Sequence, residues 1–131
     1  MATWTFSLMI TNATDRELEV FQSQLEWGIW NTQDEEDKEP VSIPPNTTLQ
    51  ALGIKASTGP NGYECSCSWR DKVQPGEKSY GTISLFLDVP QKSKNRSECL
   101  ADHQLHVDSW EDLSEKGHNF VRSIIVTNKN V

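Results

Sequence analysis

No stretch of this chain stays apolar for long. The longest runs, such as Ile124-Ile125-Val126, fall far short of the ~18 consecutive apolar residues that a membrane-spanning helix needs. A basic, apolar leader is also missing, because threonines and a serine interrupt Met1-Ala2-Thr3-Trp4-Thr5-Phe6-Ser7, and secretory signals do not read that way. The expectation is a cytoplasmic protein, or one secreted without a signal peptide. Positive charge is in deficit as well: 19 acidic against 12 basic residues give a net charge of −7. That balance opposes nucleic acid, whose backbone is bound by excess Lys and Arg, and favours a neutral or zwitterionic target.

Cysteine is scarce and odd in number. Cys65, Cys67 and Cys99 cannot all pair, and Cys65 and Cys67 would share one face of a strand, where they are poorly placed to bond each other. Reduced thiols are expected. The sequons at Asn12, Asn46 and Asn95 are accordingly read as chance matches.

The sequence carries no recognisable cofactor or metal motif. The cysteines lack zinc-knuckle spacing, and His103, His106 and His118 follow no ligand pattern. The acidic run Asp34-Glu35-Glu36-Asp37 has no glycine to fold it round a calcium ion, so it is read as a solvated loop. Nucleophilic catalysis would need an activated serine, yet there is no Gly-x-Ser-x-Gly turn and no glycine-rich phosphate loop. A distant pair of carboxylates acting on a glycosidic bond would leave no local signature. The expectation is a protein with no cofactor, no metal and no enzymatic activity.

What the chain does have is strand periodicity. Trp4, Phe6, Leu8 and Ile10 alternate with Thr5, Ser7, Met9 and Thr11, as in a strand with one buried face. Further β structure is expected over Glu17 to Val20 and Leu25 to Trp30, as two strands or one bent strand, and over Thr48 to Ile54, Tyr63 to Trp69, Thr82 to Val89, Leu105 to Trp110 and Val121 to Thr127. Turn signals lie at Gly59-Pro60-Asn61-Gly62 and Pro75-Gly76. A basic loop is expected over Gln91 to Arg96, and one short helical turn over Glu111 to Lys116. A lone sheet would leave one apolar face wet. The fold class is therefore all-β, one sandwich or partly closed barrel spanning residues 1–131.

Tryptophan is abundant: Trp4, Trp27, Trp30, Trp69 and Trp110. Indoles favour interfaces where the ring is buried and the N–H stays hydrogen-bonded, so two or three of the five are expected to be exposed. In Trp27-Gly28-Ile29-Trp30 the two rings fall on opposite strand faces, one buried and one presented.

The order of these features resembles that of the aegerolysin family of small acidic β-sandwich proteins. The Trp4-Thr5-Phe6 strand closing on Asn12 is similar to that family's first strand, and Leu25-Glu26-Trp27-Gly28 to its Ser-Trp-Gly-Lys signature. Ile43-Pro44-Pro45 resembles the segment before its central hairpin. Leu52-Gly53 with Gly59, Gly62 and Asp71 is similar to its Cys-Gly stretch with later glycines and an aspartate. Phe86-Leu87-Asp88-Val89-Pro90-Gln91-Lys92-Ser93-Lys94-Asn95 resembles the string Tyr-Trp-Asp-Cys-Pro-Trp-Gly-Ser-Lys-x-Asn. Leu52 and Val89 stand where cysteines are usual, and Leu87 and Gln91 replace two tryptophans. The headgroup-selecting acid of some members has no counterpart among Ser57, Thr58, Gly59 and Pro60.

The resemblance implies an aegerolysin/actinoporin-like sandwich, peripheral to a target membrane, that binds lipid headgroups in sphingolipid- or sterol-containing membranes. It also implies a perforin-like pore-forming partner, as in a two-component cytolysin toxin. Trp4, Trp27, Trp30, Phe86 and Lys94 are the candidate lipid-binding residues, with Lys94 placed to pair with a phosphate oxygen. A lectin-like carbohydrate-binding module and a protein-interaction domain, alone or within an oligomer, remain as alternative readings.

Overall fold

The computed structural model describes residues 3–57 and 61–130. Alternation along the chain lays down nine strands: β1 (Thr3–Asn12), β2 (Leu18–Trp27), β3 (Ile29–Trp30), β4 (Thr47–Ser57), β5 (Tyr63–Asp71), β6 (Thr82–Val89), β7 (Arg96–Ala101), β8 (Leu105–Asp108) and β9 (Phe120–Asn128). They form a five-stranded sheet in the order β3-β4-β1-β9-β8 and a four-stranded sheet in the order β2-β5-β6-β7. The first and last strands run parallel side by side in the middle of the larger sheet, while all other pairings are antiparallel.

The two sheets pack through their apolar faces. Phe6, Leu8 and Ile10 of β1 and Ile124 and Val126 of β9 meet Tyr63, Cys67 and Trp69 of β5 and Ile83, Leu85 and Leu87 of β6 in one buried cluster. The alternation of β5 and β6 is unbroken, so every second side chain enters that core. In β4 the register slips beside Leu8 and Met9 of β1, and both Ala51 and Leu52 are buried there, as a β-bulge allows. The three cysteines are free and buried. Burial pushes their thiols well above the ordinary value, which leaves them poor nucleophiles.

Of the two readings of the segment from Glu17, the structure takes the single strand as far as Trp27: it runs from Leu18 and is interrupted by two bulges, where Phe21 and Glu26 are accommodated as extra residues. Two other expectations need correction. Residues 111–116 form no helical turn; Leu113 is instead tied by its N–H to Ser97 Oγ at 2.9 Å. Finally, β7 follows the basic loop directly. The Gly59 turn lies partly outside the described residues.

Register places the strand ends at two poles. At one pole β1 and β9 begin, β2, β4 and β6 finish, and β5 and β7 begin. The other pole holds Asn12, Leu18, Asp71 and Asn128. There, Asn12 donates from Nδ2 to the carbonyls of Arg16, Ile43 and Pro44 and accepts from the N–H and hydroxyl of Thr14. Asp71, buried at the end of β5, accepts from Arg16 Nη1 at 2.9 Å, from the hydroxyl of Ser79 at 2.7 Å and from the N–H groups of Tyr80 and Gly81. The Arg16 guanidinium in turn sits over the Tyr80 ring, its carbon 3.8 Å from the centroid. Both residues of the resemblance at this pole, Asn12 and Asp71, thus act as clamps on loops.

Candidate functional site

The site begins where proline stops β6. Pro90 has no N–H to continue the ladder, and the chain turns through residues 91–95 before β7. Asn95 fixes that turn. Its backbone N–H donates to the Glu115 carbonyl at 3.0 Å, and its buried side-chain amide donates to the carbonyls of Ser114 and Gly117 at 3.1 and 2.8 Å. The 91–95 loop is thereby buckled to the segment that leads into β9. Asn119 adds a second tie, accepting from the Thr5 N–H at 2.9 Å.

Between the buckled segments lies a cleft of about 370 Å³ lined by Pro90, Lys92, Lys94, Asn95, Lys116 and His118 among others. A shallower hollow adjoins it, sharing Lys94, Asn95 and Glu115 and reaching Asp88 and Arg96. The floor is rigid: the His118 ring stacks on Trp4 with centroids 3.6 Å apart and planes 3° from parallel, and the His118 carbonyl accepts from Tyr63 Oη at 3.0 Å. Burial pushes the Tyr63 phenol well above its ordinary value, so it remains a donor.

Charge in the cleft runs against that of the whole chain. Lys94 pairs with Glu115 at 3.4 Å, but both side chains are largely exposed, and such pairs contribute little. Arg96 is held by Asp88 at 2.7 Å and leans over the Phe86 ring, 5.5 Å from its centroid. Lys92 and Lys116 have no ion-pair partner among the described residues. Across β5 and β6, partial burial and the neighbouring Asp88 and Glu26 carboxylates raise the carboxyl of Glu64, with Arg96 opposing them.

The five candidate residues separate. Trp27 is 48% exposed, at the end of β2 opposite Glu64, and stands at the pole of the cleft. Lys94 lines the cleft. Phe86 is half-buried on the outer face of β6 under Arg96, one face of its ring occupied. Trp4 and Trp30, at 6% and 8% exposure, belong to the core. Trp4 reaches the cleft only through His118.

Trp27 and Trp30 do diverge, but a change of sheet produces it. Gly28, at φ +105°, carries the chain from β2 into β3, and a Cβ there would stand 2.9 Å from the Tyr63 Cβ. Of the other tryptophans, Trp69 is buried with its Nε1 donating to the Val41 carbonyl, and Trp110 is half-buried and bonded to Asp112. Trp27 is therefore the only well-exposed indole, fewer than composition led us to expect.

Lys92, Lys116, His118 and Asn95 were not singled out for the site by sequence reasoning. The basic character of residues 91–96 was visible and pointed to Lys92; Asn95 was read only as a sequon. Its side chain, like that of Asn12, is committed to buried hydrogen bonds. Replacing Asn95 by Ala removes two buried bonds and frees two carbonyls, which should destabilise the protein by about 2 kcal/mol. Hydrogen exchange should rise at the Asn95 amide, which is bonded to the Glu115 carbonyl, while the β5–β6 amides stay protected.

No group of three or more His, Cys, Asp or Glu among the described residues is arranged to hold a metal ion. The two packed sheets define the chain as an all-β sandwich. It is similar to RahU, whose crystal structure is of a complex with a TRIS molecule, with a TM-score of 0.70 over 95% of each chain at 13% identity. It is likewise similar to IP-1A from Alcaligenes faecalis, with a TM-score of 0.68 over 96% of this chain and 91% of that one at 16% identity. Both are aegerolysin-family proteins; identities this low carry the fold alone. No protein-family model matches the chain, and no curated protein does.

Proposed function

We propose that this chain is a non-enzymatic protein that binds membrane lipids in the manner of an aegerolysin, docking by the pole that carries the cleft. The observation that carries this reading is the coincidence at one pole of the only well-exposed tryptophan and a lysine-lined cleft. An indole suits the headgroup zone of a bilayer, and lysines suit phosphate oxygens. No described helix is long and apolar enough to cross a membrane, and the reading places the protein peripherally. By the same resemblance, the target membrane contains sphingolipid or sterol, and the bound chain recruits a perforin-like pore-forming protein.

Intrinsic fluorescence during titration with vesicles tests the lipid step. Vesicles of sphingomyelin with cholesterol, or containing ceramide phosphoethanolamine, should give a blue shift that phosphatidylcholine vesicles do not. Trp27 is the indole free to move into the interface, so its replacement by Phe should remove most of the shift. A flat response across the whole panel would sink the reading and turn attention to glycan arrays.

A further inference from the structure

We infer that the cleft selects a headgroup ending in a phosphate monoester, in preference to a zwitterionic phosphodiester. The inference rests on the lipid-binding reading above and, within it, ranks sphingomyelin and other zwitterionic phosphodiesters below lipids that end in a phosphate monoester. Around the cleft and the adjoining hollow stand four cations, Lys92, Lys94, Arg96 and Lys116, against two carboxylates, Asp88 and Glu115. The carboxylates are already engaged by Arg96 and Lys94. Lys92 and Lys116 line the same cleft without an ion-pair partner among the described residues, one on each of the segments that Asn95 buckles together.

A phosphate monoester near neutral pH carries about −1.5 to −2 charges on three strong acceptor oxygens, which suits two uncompensated ammonium groups and the neighbouring Ser93. A phosphocholine headgroup would bring its own cation. Recognition of a quaternary ammonium calls for open aromatic faces, yet the only aromatic ring lining the cleft is His118, and Trp4 covers one face of it. The remaining carboxylate, Glu115, would have to leave Lys94. Electrostatics in the cleft thus favours net negative charge.

The overall charge of −7 does not cancel this preference. At physiological ionic strength the screening length is ~8 Å, so a group inside the cleft responds mainly to the cations around it. A densely anionic bilayer would meet the rest of the surface as well and be repelled. The preferred target is a monoester lipid sparse in a neutral membrane.

Cosedimentation with phosphatidylcholine vesicles doped separately with ceramide 1-phosphate, phosphatidic acid or sphingomyelin tests the inference. Binding should be roughly tenfold tighter to the two monoesters than to sphingomyelin, the equivalent of about 1.4 kcal/mol. The double variant Lys92→Gln, Lys116→Gln should lose the preference and keep the wild-type melting temperature, since both side chains are exposed. Preference for ceramide 1-phosphate alone would support the inference with a sphingolipid as the source, and equal binding of both monoesters would support it with the phosphate as the determinant. Sphingomyelin binding as tight or tighter would overturn it and leave the lipid-binding reading standing. Failure to bind any vesicle would overturn the lipid-binding reading itself. Displacement by glycerol 3-phosphate as readily as by lipid would assign the cleft to a soluble phosphate and overturn its role in lipid selection.

Discussion

Replacing Asp71 by Ala should lower the stability of the protein by about 4 kcal/mol, more than any surface substitution. The side chain has no exposed surface, and it accepts from the Ser79 hydroxyl, two backbone N–H groups and Arg16. Its removal leaves the Tyr80 N–H without its acceptor and the Gly81 N–H with only the Ser79 hydroxyl, and strips Arg16 of its nearest counter-ion. For a chain of this size the melting temperature should fall by roughly 10–20 °C. The control is Glu77→Gln, which removes the outer, half-exposed partner of Arg16 at 3.2 Å and should change stability by less than about 1 kcal/mol.

The same carboxylate predicts a pH dependence with a definite sign. Burial pushes the Asp71 carboxyl up, but the bonds from Ser79, Tyr80, Arg16 and Gly81 outweigh it and hold the group below the ordinary carboxylate value. A depressed value in the folded state means that the stabilising contribution is present above the unfolded value of about 3.9. It is lost as the pH falls through the lower, folded value. The gap in stability between the wild type and Asp71→Asn should therefore hold at neutral pH and narrow below about pH 4. A gap that stayed constant through the acid range would show that the bonds to Asp71 do not depend on its charge.

Much of this fold was legible because most strands bury one face and wet the other. In β1, β5 and β6 the alternation of apolar and polar residues runs the length of the strand, and a strand pattern of period two has few rival explanations. The strands that were missed or left open between two readings lack that signal. Along β7 only Cys99 is fully buried, as befits a sheet edge where neighbours on one side are absent. Two bulges in β2 shift the pattern out of phase twice, so one strand looks like two pieces. The helical turn expected over 111–116 failed because that segment serves as a wall for the β7 edge, tied by Leu113 to Ser97.

The site was legible only in part, for a related reason. Lys94 could be found because it sits in a local string, whereas the divergence of Trp27 and Trp30, expected from their spacing on one strand, comes from the change of sheet at Gly28. Lys116 and His118 could not, since the contact that brings them to the 91–95 loop is made by Asn95 across 19 to 22 residues of chain. Such a contact depends on an amide reaching carbonyls in irregular backbone, and no periodicity announces it. Tryptophan count misled in the opposite direction. Trp4 and Trp30 are core residues, and their size alone suited them to fill space between two sheets.

Binding should depend on Trp27 more than on any other single side chain. About half of its surface is exposed, and moving ~80 Å² of apolar surface out of water at ~25 cal/mol per Å² contributes about 2 kcal/mol. Trp27→Ala should thus weaken binding to responsive vesicles roughly 30-fold while leaving the melting temperature within a few degrees of the wild type. Trp4→Ala is the informative contrast: it empties a core position and removes the ring that backs His118, at a cost of about 3–5 kcal/mol in stability. Vesicle titration and thermal melting of the two variants separate the roles, because a residue at the membrane loses affinity without stability and a core residue loses stability first. If Trp27→Ala bound as tightly as the wild type, the docking pole would have to be assigned elsewhere. The exposed apolar residues of the larger sheet, Ile29 of β3 and Val121 and Ile125 of β9, would then be the next to replace.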